Sequence, residues 1–166
     1  MPLKSSVSKF LLLFTAALLI SSCQPTSHID QRQKRQKITW HQLIPGRMEA
    51  AKSHKPCLVD FYYGPTCPRC SMFDKQIYNN PKVISRLNRD FIAIRIDLRQ
   101  PLNKEEQALA DTMQTNGECM LMFLNEDGKV IKTKGGNPIC TMDKITRQQF
   151  MYYLDQAINN LPAVSK

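Results

Sequence analysis

This sequence predicts an α/β fold: a mixed central sheet flanked by helices, with a helical extension at its N-terminal side. Three observations lead there. "CLVDFYY" and "FIAIRIDL" are nearly unbroken apolar runs that read as buried strands, with helical patterns between them. "MLMFLNEDGKVIKTK" is a further apolar run with turn residues at its centre, a hairpin signature. The chain then closes on a helix with clear end signals. At 166 residues, 42% hydrophobic and 22% charged, it is long enough for one domain with a proper core plus extensions.

The elements follow in order. Trp40, Ile44, Met48 and Ala51 recur at helical spacing, but Pro45-Gly46 interrupts them, so a turn and then a helix near 47–53 is expected. "KPCLVDFYY" is a strand buried on both faces. After Cys67 and Cys70, the residues Met72, Phe73, Gln76 and Ile77 predict a helix to about residue 78, with a second short helix around 81–88. In "FIAIRIDL", Ile92, Ile94 and Ile96 alternate onto one face of a strand. Asn103 with Glu106 forms a helix start, and Ala108, Leu109 and Met113 supply that helix's apolar side. The hairpin should turn at 126–128. Thr146 with Gln149 is a capping box, Ile145 and Phe150 sit at staple spacing, and Phe150, Leu154, Ala157, Ile158 and Leu161 line one face. The order is β-α-β-α-β-β-α.

The first residues have a different character. "MPLKSSVSKFLLLFTAALLISSC" has a positive start at Lys4 and Lys9, an eleven-residue apolar stretch, then small residues, the three parts of an export signal. Eleven apolar residues are too few to span a bilayer as a helix. "ISSC" resembles the lipobox of bacterial lipoproteins, which implies cleavage after residue 22 and diacylation of Cys23. Gln24 stands where an inner-membrane retention signal would show Asp, so the periplasmic face of the outer membrane is the expected destination. Residues 23–37 read as a flexible basic tether, about 50 Å at full stretch. The domain proper is 38–166.

Charge excludes less than it promises. The formal charge is +9; loss of Lys4 and Lys9 leaves +7, and Arg32, Lys34, Arg35 and Lys37 crowd one run of the tether. The remainder is mildly basic and lacks the aromatic interleaving of single-strand binders, so nucleic acid is not an expected partner.

The cysteines carry the chemistry. "TCPRC" follows a buried strand and opens a helix. A thiol attacks only as its thiolate, and a helix N-terminus favours that anion at Cys67. Pro68 suits the first helical position, whose N–H has no intrahelical partner, and Arg69 adds positive charge. Cys70, one turn on, is placed to resolve a mixed disulfide on Cys67. The same spacing also suits half a metal site or a static crosslink, although so tight a loop adds little stability. Cys57, at the start of a core strand, is expected to pack as a small hydrophobe. His28, His41 and His54 are scattered and expected at the surface.

Over residues 40–161, "KPCLVDFYYGPTCPRC", "NNPKVISRLNRDFIAIRIDL" and "FLNEDGKVI" resemble the thioredoxin-like family, and within it the C-terminal periplasmic domain of the thiol:disulfide interchange protein. The resemblance implies a thioredoxin-like fold and disulfide exchange with envelope proteins, as reductase or electron relay, without a cofactor. An inner-membrane electron donor is also implied. Pro68 and Arg69, by favouring the thiolate, pull the pair toward the oxidising side. Asp60 matches the family's buried acid and would handle the proton of Cys70. Thr66 stands where the family has Trp, and Cys119 where it has a cis-proline facing the site. Substrate contacts are therefore implied at Thr66, Pro68, Arg69, Glu118 and Cys119. Cys140 falls toward the same end of the sheet, and an oxidising compartment favours a Cys119–Cys140 disulfide. Two other classes stay open: a copper or zinc binding module using Cys67, Cys70 and Cys119, and a non-catalytic structural lipoprotein.

Overall fold

The computed structural model describes residues 37–115, 120–141 and 144–161. The signal segment and most of the tether lie outside them, as do Cys23, His28, Glu118 and Cys119. Strand β1 is Trp40–His41, helix α1 Leu43–Ser53, and β2 Cys57–Tyr62. Helix α2, Pro68–Met72, continues as a π-helical segment, Phe73–Tyr78, before α3, Pro81–Asp90. Then come β3, Ile92–Asp97; α4, Lys104–Thr115; β4, Leu121–Leu124; β5, Cys140–Thr141; and α5, Arg147–Asn159.

The five strands lie in the order β1-β3-β2-β4-β5. β1 and β2 run parallel to β3, while β4 is antiparallel to β2 and to β5, so the sheet is mixed as expected. Asp60 sits opposite Arg95 on β3 and Leu121 on β4. Strand alternation sorts the side chains into two layers. Cys57, Val59 and Phe61 share one face with Ile92, Ile94, Ile96, Met122 and Leu124, packed with Leu43 and Ala50 of α1 and Ala110 of α4. Leu58, Ala93, Leu121 and Phe123 face the other way, against Phe73, Ile77, Val83, Leu87, Phe150 and Leu154. Asp60 and Arg95 belong by alternation to this second face, the one covered by the helix that carries the cysteines.

Local chemistry explains the element ends. Thr146 Oγ1 accepts from the N–H of Gln149 at 3.2 Å and Gln149 Oε1 accepts from the N–H of Thr146 at 2.8 Å, the reciprocal box. Asn103 and Glu106 make the same exchange at the start of α4, at 2.9 and 3.1 Å. The turn at Asn125–Gly128 forms with Gly128 N–H donating to Asn125 O at 2.9 Å.

Two expectations need correction. Pro45-Gly46 does not delay the first helix, which starts at Leu43. Pro45 falls in the first turn, where a missing N–H costs nothing. Gly46 is buried against β3: a Cβ there would lie 2.6 Å from Ile94 Cγ1, so the glycine permits the close approach of α1 to the sheet. Trp40, read as part of a helical pattern, is instead in β1. The hairpin's second arm is also not a full strand. It touches β4 through an isolated Leu124–Val130 bridge, and the strand that pairs with β4 is Cys140–Thr141.

Candidate active site

Cys67 and Cys70 lie just beyond the C-terminal end of β2, where α2 begins. Gly64, at φ +96°, reverses the chain, and Cys67 N–H donates to Gly64 O at 3.2 Å. A left-handed residue there is natural for glycine and strained for others. Cys67 is the N-cap of α2, with Pro68 at the first helical position. Its sulfur accepts from the backbone N–H of Cys70 at 3.4 Å, taking one of the donors that the helix end leaves free. Cys70 is 3% exposed, and its sulfur accepts from Tyr63 N–H at 3.4 Å. Both cysteines are free thiols.

The two sulfurs are unequal. Partial burial raises the Cys67 thiol, but hydrogen bonds from the Cys70 thiol and from the N–H groups of Cys70 and Arg69, with the Arg69 charge, outweigh it and lower its pKa. Burial raises Cys70, and its hydrogen bond to Cys67 together with the charges of Cys67 and Asp60 raise it further. One sulfur is part-exposed in surroundings that favour its thiolate; the other is buried in surroundings that favour its thiol. Thr66 and Pro68 are exposed beside them.

Beneath the pair lies a buried set of charges. Asp60 is 2% exposed. Its Oδ1 accepts from Arg69 Nη1 at 3.4 Å and its Oδ2 from Arg95 Nε at 3.1 Å and Nη2 at 3.0 Å. Arg95 Nη2 also reaches Asp74 Oδ1 at 2.9 Å. The Arg95 guanidinium stands 4.1 Å from the Trp40 ring centre and 4.3 Å from that of Tyr62, a cation–π sandwich. Burial pushes the Asp60 carboxyl above its ordinary range, against the pull of Arg95 and then Arg69. Tyr78, on the π-helical segment, packs edge-on to Trp40 at 5.1 Å, and burial raises its phenol well above the usual value.

Of the sequence-predicted residues, Cys67, Cys70, Asp60, Thr66, Pro68 and Arg69 are brought together here. Arg69 turns inward instead of out to solvent, and Glu118 and Cys119 lie outside the described residues. Cys140 is disulfide-bonded; its expected partner, Cys119, is not among the described residues. Cys57 is a buried free thiol, its pKa pushed up to about 12 mainly by burial, in keeping with an inert core residue. His54 is exposed and pairs with Glu126 at 2.8 Å. Among the described residues no group of three or more His, Cys, Asp or Glu is arranged to hold a metal ion, and no helix is long and apolar enough to cross a membrane. Sequence reasoning missed Arg95, Asp74 and Tyr78; the one available signal was an arginine within the largely apolar run "FIAIRIDL".

A thioredoxin-like domain family matches residues 47–150. The chain belongs to the thioredoxin-like family. Among solved structures, the oxidoreductase DsbH is similar at TM-score 0.57 and 15% identity, over 82% of this chain and 92% of that one. A thioredoxin from Thermus thermophilus is similar at TM-score 0.52 and 22% identity, over 74% and 88%. The oxidised DsbD C-terminal domain of Neisseria meningitidis is more distant, at TM-score 0.47 and 22% identity over 68% and 90%. The likenesses to DsbH and to the Thermus thioredoxin establish the fold. Among curated proteins none matches.

Proposed function

We propose that this thioredoxin-like protein is a thiol:disulfide oxidoreductase of the bacterial periplasm, held to the outer membrane by lipid on Cys23. The observation that carries the reading is the asymmetry of the pair: Cys67 part-exposed with a lowered pKa at a helix N-terminus, Cys70 buried with a raised one.

The Cys67 thiolate attacks one sulfur of a partner's disulfide, and the partner's other sulfur leaves as a thiolate that takes up a proton. Cys70 then loses its proton and attacks Cys67 Sγ. The Cys67–Cys70 disulfide forms, and the partner's second sulfur is released and protonated. Two electrons pass to the partner, whose disulfide becomes a dithiol with one proton from Cys70 and one from the solvent. We assign this reducing direction, with a membrane electron donor regenerating the dithiol and cysteine-containing envelope proteins as substrates. Cys140 is disulfide-bonded, and Cys119 is the partner this reading gives it.

Insulin reduction with a recycling dithiol tests the activity. The wild type should turn over; Cys67→Ser should abolish turnover; Cys70→Ala should accumulate a mixed disulfide on Cys67 that identifies its partners. Wild-type protein that is fully reduced at Cys67 and Cys70 yet inactive on every protein disulfide would remove this reading. An equilibrium potential against glutathione far above that of thioredoxin would reverse the direction.

A further inference from the structure

Arg69, between the two cysteines, does something the exchange steps do not require. An arginine at an exposed helix start is normally hydrated; this one has its side chain only 11% exposed. Its guanidinium lies 4.3 Å from the Phe73 ring centre and donates through Nη1 to Asp60 Oδ1. Its Nε and Nη2 are buried with no protein partner, so the inward pose is not explained by its own hydrogen bonds alone. The other Asp60 oxygen is taken by Arg95, itself fixed by Asp74 and two aromatic rings. Two carboxylates and two guanidiniums thus form a neutral ladder reaching from β3 to the cysteine loop.

That ladder bears on the proton of Cys70. Protonating a carboxyl oxygen weakens it as an acceptor and adds an O–H that must find an acceptor of its own. Each oxygen of Asp60 faces a guanidinium N–H. Among the described residues, Asp60 is faced by Arg69 and Cys70 from α2, Arg95 from β3, and Tyr78 from the π-helical segment, with Asp74 behind Arg95. Among them, Arg69 and Cys70 face Cys67.

We propose that Asp60 is the clamp that folds Arg69 inward beside Cys67, making Arg69 a positioning residue for the thiolate, and that Asp60 does not carry the proton of Cys70. This rests on the oxidoreductase reading above and deepens it. A guanidinium held in a partly buried pose acts on a neighbouring thiolate through a lower dielectric than a hydrated, mobile one. The clamp also removes rotamer freedom that a free arginine would retain.

The test is the pH profile of iodoacetamide alkylation at Cys67, located by mass spectrometry, in Asp60→Asn, Arg69→Gln, Arg69→Lys and the Asp60→Asn/Arg69→Gln double variant. Decay of a glutathione mixed disulfide on Cys67, followed alongside, reads the Cys70 step. Removing a nearby negative charge should by itself speed Cys67 at acid pH. Loss of the clamp should instead slow it, by about two- to fivefold at pH 6, the size of a charge effect at a helix end. Arg69→Gln should do the same, the double variant no more, and Arg69→Lys should retain most of the rate. The decay profile should keep its shape throughout. Faster or unchanged alkylation in Asp60→Asn overturns the proposal, as does an altered decay profile that persists in the Arg69→Gln background. If Asp60→Asn does not fold, an unmoved Cys67 profile in Arg69→Gln overturns it alone. Alkylation needs no protein partner, so failure of insulin reduction leaves this readout intact.

Discussion

Arg95→Met is the sharpest test of the buried ladder as a stability element. The substitution removes both contacts to Asp60, at 3.0 and 3.1 Å, the contact to Asp74, and a cation stacked between Trp40 and Tyr62. Breaking a buried pair by deleting one partner costs about 3–5 kcal/mol, because the remaining charge is stranded. Arg95 is 19% exposed and Arg69 still faces Asp60, so the lower end applies, about 3 kcal/mol. Methionine keeps much of the apolar stem's packing, so this figure is mainly electrostatic. At an m-value near 2 kcal/mol/M, the urea midpoint should fall by about 1.5 M. The pH dependence has a definite sign. Burial already raises the Asp60 carboxyl in the folded protein, and removing Arg95, the larger of the two charges lowering it, raises it further. A carboxyl with a raised folded-state pKa stabilises the fold below its unfolded pKa, and that contribution is lost as pH rises through the folded value. The deficit at pH 5 should therefore be smaller than at pH 7.5. Urea unfolding of both proteins at the two pH values, in the same oxidation state, measures it. A loss under about 1 kcal/mol, a value typical of surface pairs, would refute the claim that these charges are structurally coupled. So would a deficit independent of pH.

Three further outcomes follow from the same geometry. Gly46→Ala gains about 1 kcal/mol of helix propensity but sets a methyl 2.6 Å from Ile94 Cγ1 and 3.1 Å from His41 Cβ. Overpacking of about 1–3 kcal/mol should win, and a raised melting temperature would contradict that close approach. Thr146→Ala removes the capping box of α5 and should cost about 1 kcal/mol, seen as a lower urea midpoint with unchanged m-value. At pH 8, iodoacetamide should modify Cys67 in the folded protein while Cys57, its pKa pushed up to about 12, reacts only after unfolding; equal labelling of both in the native state would contradict its burial.

Much of the fold was legible because its signals are local. The capping boxes at Asn103 and Thr146 need four consecutive residues, and the alternation of Ile92, Ile94 and Ile96 shows directly which face of β3 is apolar. The cysteine pair was legible for the same reason: strand, turn and helix start are contiguous, so the place of Cys67 at a helix end follows from sequence. What was not legible depends on register. Asp60 is visible as a single charge in an apolar run and Arg95 as the one cation in another, yet nothing nearby says they are cross-strand neighbours across 35 residues of chain. Pro45-Gly46 misled because a helix breaker in isolation is harmless in a first turn, and the glycine answers to Ile94, which only the packed structure brings near. β5 is two residues long, too short to show a period.

The parallel pairing of β1 with β3, and of β3 with β2, has a geometric result. Trp40 lies level with Ala93 and Leu58, near the starting ends of these strands, whereas Cys67 lies beyond their finishing ends. The polypeptide therefore enters the globule at one pole and displays the Cys67 sulfur at the other.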